Sequence, residues 1–213
     1  MQADFWHERW NENRIGFHQE KPNRLLVAHL ADLNLSPGAR VFVPLCGKTL
    51  DIPWLLAQGH RVVGAELSEL AVQQLFEEMQ VLPSVTQLDV LRRYSAEGID
   101  IFAGDIFDLD AELLGEVDAV FDRAALVALP DAMRERYSAH LAIMTAHAPQ
   151  LLITFDYDQS EMAGPPFSVS TDMVGQYYAE VFSIHQLAAV EVAGGLKGMC
   201  PATEVMWLLR RKA

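Results

Sequence analysis

The chain has 213 residues, 51% of them hydrophobic and 21% charged, with a formal net charge of −13. These values suit one globular domain with a sizeable core and exclude a disordered chain, while the acidic excess disfavours nucleic acid and acidic membrane surfaces, whose phosphates it would repel. No run approaches the roughly 20 apolar residues that span a bilayer, the opening MQADFWHERWNENR has no basic-then-apolar leader pattern, and Cys46 and Cys200 are too few and too distant for a disulfide framework or a metal site. A cytoplasmic, monomeric protein is the expectation.

The spacing predicts a first helix over Asp4–Arg14, with Trp6 and Trp10 four apart on one face. The polar segment Asn11–His18 reads as chain folded over something, with His18 structural or exposed. A second helix is predicted over Asn23–Asp32, with Leu25, Leu26, His29, Leu30 and Leu33 as its apolar stripe. Ser36-Pro37-Gly38 then turns the chain into a strand.

The most informative stretch is Ala39–Glu66. An apolar run, Val41–Leu45, ends in a tight Cys46-Gly47 turn, and a helix is predicted over Leu50–Gln58. A second run, Val62–Ala65, ends on Glu66, 21 residues beyond Leu45. In doubly wound α/β proteins the first strand–helix turn cradles the cofactor, and an acid about 20 residues on holds ribose hydroxyls. The alternative for Glu66 is a solvated charge ahead of the next helix. The turn reads Pro44-Leu45-Cys46-Gly47-Lys48-Thr49 and lacks G-x-G-x-x-G. Those glycines admit a pyrophosphate, so their absence favours an adenosine-type cofactor without one. Lys48-Thr49 lacks the first glycine of a phosphate loop.

Ser68 caps a helix predicted to reach Met79, and Pro83 breaks it. Arg93–Asp118 is rich in turn residues and holds a short third strand, Ile99–Ala103. After it, Asp105 and Ile106 can meet an adenine, the first through an acceptor and the second against the ring. The alternative is a turn with a capping aspartate. Val117–Asp122 is a fourth strand, which puts Arg123 at the sheet edge where open α/β sheets bind ligands. Arg123 there can pair with a methionyl carboxylate or orient a substrate, or simply cap carboxylates on the rim. A helix over Asp131–His147 and a strand over Gln150–Phe155 follow. The loop Tyr157–Pro166 leads into Pro165-Pro166-Phe167, a stiff apolar segment able to roof a pocket. A helix from Thr171 to about Phe182 precedes two strands, Ile184–Val192 and Glu204–Leu209, with a corner at Ala193-Gly194-Gly195.

This pattern predicts a mostly parallel sheet with helices on both faces and an antiparallel strand at the C-terminal end. That finish is common to S-adenosylmethionine-dependent methyltransferases. Dinucleotide dehydrogenases usually add a sixth parallel strand.

Several motifs, in order over nearly the whole chain, resemble the thiopurine S-methyltransferase family. They are Trp6-x3-Trp10-x6-Phe17-His18-Gln19, Pro44-Leu45-Cys46-Gly47-Lys48, Val63-Gly64-x-Glu66-x-Ser68-Glu69-Leu70, Ile106-Phe107-Asp108-Leu109, Asp122-Arg123-x-Ala125-Leu126-Val127-Ala128 and Gly164-Pro165-Pro166-Phe167. The resemblance implies a single class I methyltransferase domain over 1–213, Rossmann-like, with residues 1–36 as a helical cover. It implies S-adenosyl-L-methionine as methyl donor, with S-adenosyl-L-homocysteine as product. By position, Trp10, Leu45, Glu66, Asp105, Ile106 and Arg123 would bind the cofactor, with Arg123 also the catalytic candidate. Phe17, Pro166 and Phe167 would meet the substrate, a small thiol. Family members often carry serine where this chain has Asp105, which leaves that contact to backbone groups. Methyl transfer needs an in-line nucleophile about 3 Å from the methyl. Aromatic thiols are acidic enough to need no powerful base, in keeping with a chain that shows no Cys–His or Ser–His pairing.

The competing functions are methylation of selenium or tellurium species, a non-catalytic cofactor-binding module, and an NAD-dependent oxidoreductase. The last is disfavoured by the missing glycines and by the lack of Tyr-x-x-x-Lys.

Overall fold

The structure is a computed structural model that describes residues 3–16 and 18–212. In chain order the elements are α1 (Ala3–Asn11), α2 (Arg24–His29), β1 (Arg40–Pro44), α3 (Asp51–Ala57), β2 (Arg61–Glu66) and α4 (Glu69–Glu78). Then come β3 (Ser84–Leu88), β4 (Leu91–Ala96), β5 (Ile99–Ala103), α5 (Ala111–Leu114), β6 (Ala119–Arg123) and α6 (Asp131–Met144). The chain closes with β7 (Gln150–Asp156), α7 (Thr171–Tyr178), β8 (Phe182–Glu191) and β9 (Thr203–Arg211). Local chemistry sets several starts. The Asn23 side chain accepts from the amides of Leu25 and Leu26 at the head of α2, and Ser68 does the same for Ala71 at the head of α4.

The strands form one sheet in the order β3-β4-β5-β2-β1-β6-β7-β9-β8. The five central strands, β5 to β7, are parallel, with Val41 opposite Val62 and Asp122 opposite Leu152. Their apolar runs alternate between two cores, one residue to each face. Phe42, Val63, Val120 and Leu152 pack with Tyr137 and Leu141 of α6. Val41, Val62, Phe121 and Leu151 pack with Ile52 and Leu55 of α3 and Leu75 of α4.

The C-terminal pair β8–β9 is antiparallel as expected, but the other edge is antiparallel as well. The β3–β4 hairpin has no counterpart in the sequence reading, which took this region as a break followed by turns. Its reason is exposure: Ser84, Val85, Thr86 and Gln87 are all solvent-facing, so β3 carries no buried alternation to betray a strand. Helix ends also fall short. α1 stops at Asn11, before Asn13 at φ 53°, and α6 stops at Met144, before Ala146 and His147 at φ 51° and 61°. α7 ends at Tyr178, because Phe182 already begins β8.

Candidate active site

Parallel pairing brings the carboxyl ends of β5, β2, β1, β6 and β7 to one edge. Antiparallel β9 starts there too, with Thr203 opposite Asp156, so the β8–β9 connection joins the same edge. A cavity of about 540 Å³ lies along it, beneath α1.

The first wall is the turn after β1. Leu45 and Gly47 both adopt left-handed backbone, at φ 46° and 52°. The Trp10 ring lies 3.0 Å from where a Cβ on Gly47 would sit, so any side chain there would displace the indole. Gly64 of β2 is equally constrained, since its Cβ would meet Cys46 Sγ at 2.9 Å and Ile101 at 2.7 Å.

Glu66 at the end of β2 lines the cavity and is only 6% exposed. Its Oε2 accepts the Gly47 amide at 2.7 Å and its Oε1 accepts the Ser68 amide at 2.8 Å. Burial pushes the carboxyl pKa up, and the amides of Ser68, Gly47 and Leu67 offset part of that. A carboxylate has about four acceptor sites, so it is a brace between two turns that keeps acceptor capacity for a ribose hydroxyl.

Beyond β5, Asp105 and Ile106 also line the cavity. Asp105 is exposed and uses Oδ1 to accept the Phe107 amide at 3.0 Å, capping a 3-10 turn over Ile106–Asp108. Ile106 is buried beside it. His140 of α6 fixes this turn from behind, its Nε2 lying 2.9 Å from the Ile106 carbonyl and 3.0 Å from that of Leu109. Two carbonyls can only accept, so Nε2 carries the proton.

Arg123 ends β6 and faces the cavity. Its Nε is 4.0 Å from Oδ2 of Asp51, which is 1% exposed. Asp51 also accepts from the Asn23 amide at 2.6 Å and the Thr49 hydroxyl at 2.8 Å. Asn23 in turn donates to Glu204 at 3.5 Å. Burial lowers the guanidinium pKa, and Asp51 and Glu204 raise it; a group that titrates so high stays charged.

Trp10, Leu45 and Pro166 all line the cavity. Phe17 lies outside the described residues. Phe167 is not on the cavity wall, so the apolar roof is Pro165-Pro166 alone. Its ring packs over Gly164 and under the Arg134 guanidinium, 5.4 Å from the ring centroid, and its amide donates to the Val127 carbonyl at 2.7 Å. His18, read as structural or exposed, is instead half-buried on the wall, where burial and the nearby Lys48 and Arg123 hold its pKa below the usual imidazole value.

Sequence reasoning missed Arg9, Arg24 and Glu204, which also line the cavity, as does Lys197, the one basic residue of the stretch Gly194–Met199. Only Glu204 left a signal: an acid at the head of an apolar strand is an anomaly worth following.

An adenosyl cofactor fits what is present: a tight turn whose Gly47 leaves no room for a side chain against Trp10, a buried carboxylate braced by backbone amides, and buried Ile106 in the 3-10 turn beyond β5. Among the described residues, no helix is long and apolar enough to cross a membrane.

Comparison with known proteins agrees. The family description "Thiopurine S-methyltransferase (TPMT)" matches residues 1–211. A thiopurine S-methyltransferase of Xanthobacter autotrophicus is 55% identical over 212 residues, covering 99% of this chain and all of the relative. One of Pseudomonas aeruginosa is 49% identical over 217 residues, covering 99% of this chain and 100% of the relative. Among solved structures, the Burkholderia thailandensis 1,6-didemethyltoxoflavin-N1-methyltransferase with bound S-adenosylhomocysteine superposes with a TM-score of 0.67 at 17% identity, over 99% of this chain and 87% of that one. A SAM-dependent methyltransferase of Anabaena variabilis gives 0.66 at 14% identity, over 99% and 95%. At such identities the structures speak for the fold.

Proposed function

The chain belongs to the thiopurine S-methyltransferase family of S-adenosylmethionine-dependent methyltransferases, and from that premise we propose that its acceptor is the sulfur of thiopurines and other small aromatic or heteroaromatic thiols. The observation that carries this reading is the cavity itself: a space of about 540 Å³, with Trp10, Ile106 and Pro166 among its walls, suits a flat ring and a cofactor better than a macromolecule.

S-adenosylmethionine, when bound, supplies an electrophilic sulfonium methyl. The protein's part is positioning. Glu66 would hold the ribose with the acceptor capacity its amide donors leave free. Ile106 and the backbone beside Asp105 wall the adenine, since the Asp105 carboxylate is engaged as a cap. Trp10, seated on Gly47, closes the turn at Leu45 over the methionyl portion. Arg123, backed by Asp51, presents a charged guanidinium to the methionyl carboxylate or the acceptor sulfur, where it stabilises the anionic form of the thiol. Pro166 excludes water above the acceptor, with Phe17 assigned to the same boundary. No dedicated base is required, because a thiol held as its anion has already lost its proton.

We read residues 1–213 as one methyltransferase domain in which 1–36 cover the site, acting as a cytoplasmic monomer; a charge of −13 favours such a dispersed state.

Transfer of radiolabelled methyl from S-adenosylmethionine to 6-mercaptopurine tests the proposal. Turnover that saturates in both reactants is expected. Cofactor binding with no methylation of any aromatic thiol would overturn the acceptor assignment and leave the methyltransferase class intact.

A further inference from the structure

Two chain segments at the cavity are tied together by side chains that stand outside it. The cofactor turn, Glu66 and the 3-10 turn end or follow β1, β2 and β5, whereas residues 127–129 follow β6 and residues 165–168 follow β7. Val127, Leu129, Pro165 and Pro166 line the cavity; Arg134, Tyr157, Gln159 and Phe167 do not. Arg134 of α6 donates from Nε to the Leu129 carbonyl at 2.8 Å and from Nη1 to the Ser168 carbonyl at 3.2 Å, so one guanidinium spans both segments. It lies 5.4 Å from the Phe167 ring centroid, and the Phe167 amide donates to the Val127 carbonyl at 2.7 Å. From the other side the Tyr157 hydroxyl donates to the Pro166 carbonyl at 2.7 Å and accepts from Gln159 Nε2 at 3.0 Å. Gln159 Oε1 accepts the Ser168 amide at 2.8 Å, and Ser168 Oγ accepts the Tyr157 amide at 3.1 Å.

A loop ordinarily runs exposed and varies freely, yet a guanidinium only 3% exposed is committed to this one. Burying such a charge is costly unless it is hydrogen-bonded. The Asp131 carboxylate, 4.0 Å away, is itself 79% exposed, and water screens it. Two carbonyls and an aromatic face are what hold the cation. An apolar side chain could fill the space without that cost, so the arginine serves the spacing of the two segments more than the stability of the core. Gly164 completes the arrangement, because a Cβ there would lie 2.6 Å from the Phe167 ring and push it aside. Close packing of this kind has two states, engaged or broken, and yields little between them. The roof at Pro165-Pro166 and the wall at residues 127–129 therefore present one fixed outline to whatever enters.

We infer that Arg134, Tyr157 and Phe167 form a positioning latch that fixes the width of the acceptor slot and so restricts methyl acceptors to flat aromatic rings. The inference rests on the reading above, that the cavity takes a small aromatic thiol. None of the three touches the acceptor. They act through Leu129 and Pro166, which do line the cavity. Because both segments belong to the β6 and β7 side of the edge, the latch governs the acceptor and leaves the cofactor's turns alone. A slot that cannot widen also holds the acceptor sulfur in line with the methyl, where a displacement of about 1 Å is expensive in rate.

Steady-state kinetics with 4-methylbenzenethiol and 4-tert-butylbenzenethiol tests it, since the two are of similar acidity and differ in thickness. The wild type should favour the flat thiol in kcat/KM by about tenfold or more, the scale on which a pocket rejects extra methyl groups. Tyr157→Phe and Phe167→Leu should each bring that ratio toward one by raising KM for the flat thiol, with KM for S-adenosylmethionine unchanged. Arg134→Met should do so most, and Arg134→Lys, which can reach one carbonyl but not both, should fall between it and the wild type. If the Arg134 variants fail to fold, the other two carry the test. Calorimetry of the corresponding methyl sulfides on the S-adenosylhomocysteine-loaded protein reads the slot without the chemistry, and the same order of preference is expected. A wild-type ratio near one, variants that weaken both thiols equally, variants that change only cofactor affinity or melting temperature, or no binding of either sulfide would each overturn the latch. If the sulfides bind with the expected dependence on the three residues yet neither thiol is methylated, the latch stands and the thiol assignment falls.

Discussion

The Tyr137 hydroxyl donates to Oδ2 of Asp122 at 2.7 Å, one residue before Arg123, deep between β6 and α6. Asp122 has no exposed surface and takes its second bond, 3.1 Å, from the Leu126 amide. Burial outweighs these donors and the Ala125 amide, and raises its pKa from 3.8 to about 6. The folded chain therefore holds this proton more tightly than the unfolded chain does. The contribution of Asp122 to stability is full below the unfolded value and is lost as pH rises through about 6. Between those limits the loss is roughly 2–3 kcal/mol. Denaturant unfolding of wild type and Asp122→Asn at pH 4 and pH 7.5 checks this: the wild type's advantage over the variant should shrink at the higher pH. A constant difference would mean that Asp122 titrates normally.

Glu66→Ala should weaken S-adenosylhomocysteine binding by roughly 1–3 kcal/mol, the scale of lost hydrogen bonds to a charged group. Because the same carboxylate braces the Gly47 and Ser68 amides, the variant should also melt earlier. Glu66→Gln, which retains one acceptor, should fall between. Calorimetric titration beside thermal unfolding separates the two effects, and unchanged affinity would remove Glu66 from the site.

Arg123→Ala should lower kcat/KM for a thiol acceptor by about tenfold or more while shifting the melting temperature little by comparison. Arg123→Lys keeps the charge beside Asp51 but not the planar fork, so it should preserve the fold and recover only part of the rate. Wild-type turnover in Arg123→Ala would refute its assignment.

His140→Ala removes the donor shared by the Ile106 and Leu109 carbonyls. It touches no assigned ligand, so its effect runs through the adenine wall. The KM for S-adenosylmethionine should rise several-fold with kcat nearly constant, which steady-state kinetics at saturating thiol will show. A fall in kcat alone would place its role elsewhere.

The β1–α3–β2 unit was legible because buried parallel strands are continuous apolar runs and the acid ends the second one at a recognisable distance. Glu66 and Arg123 could be put at one edge because strand ends in such folds share it, whereas Asp105, read for the adenine with a cap as the alternative, spends its carboxylate on the Phe107 amide. The β3–β4 hairpin was hidden, since Ser84–Gln87 face solvent and carry no period-two signal. Phe167 was misplaced by adjacency: Pro166 lines the cavity while the next side chain packs on Gly164 and Arg134. The Asn23–Asp51–Glu204 network joins residues up to 181 positions apart, a contact that local spacing cannot express.

Strand β3 has a further consequence, for the protein as a solute. It is one of the sheet's two edge strands, it has no charged residue, and it exposes Val85, with Leu82 and Val90 exposed on either side. An unguarded edge of this kind is a template for pairing with another chain. The surplus of 13 negative charges opposes that encounter by mutual repulsion. Salt shortens the reach of this repulsion, to about 8 Å at physiological ionic strength. Concentrated preparations should therefore stay dispersed longest in dilute buffer well above pI 4.8, and self-association should begin at this edge when salt is raised or pH lowered.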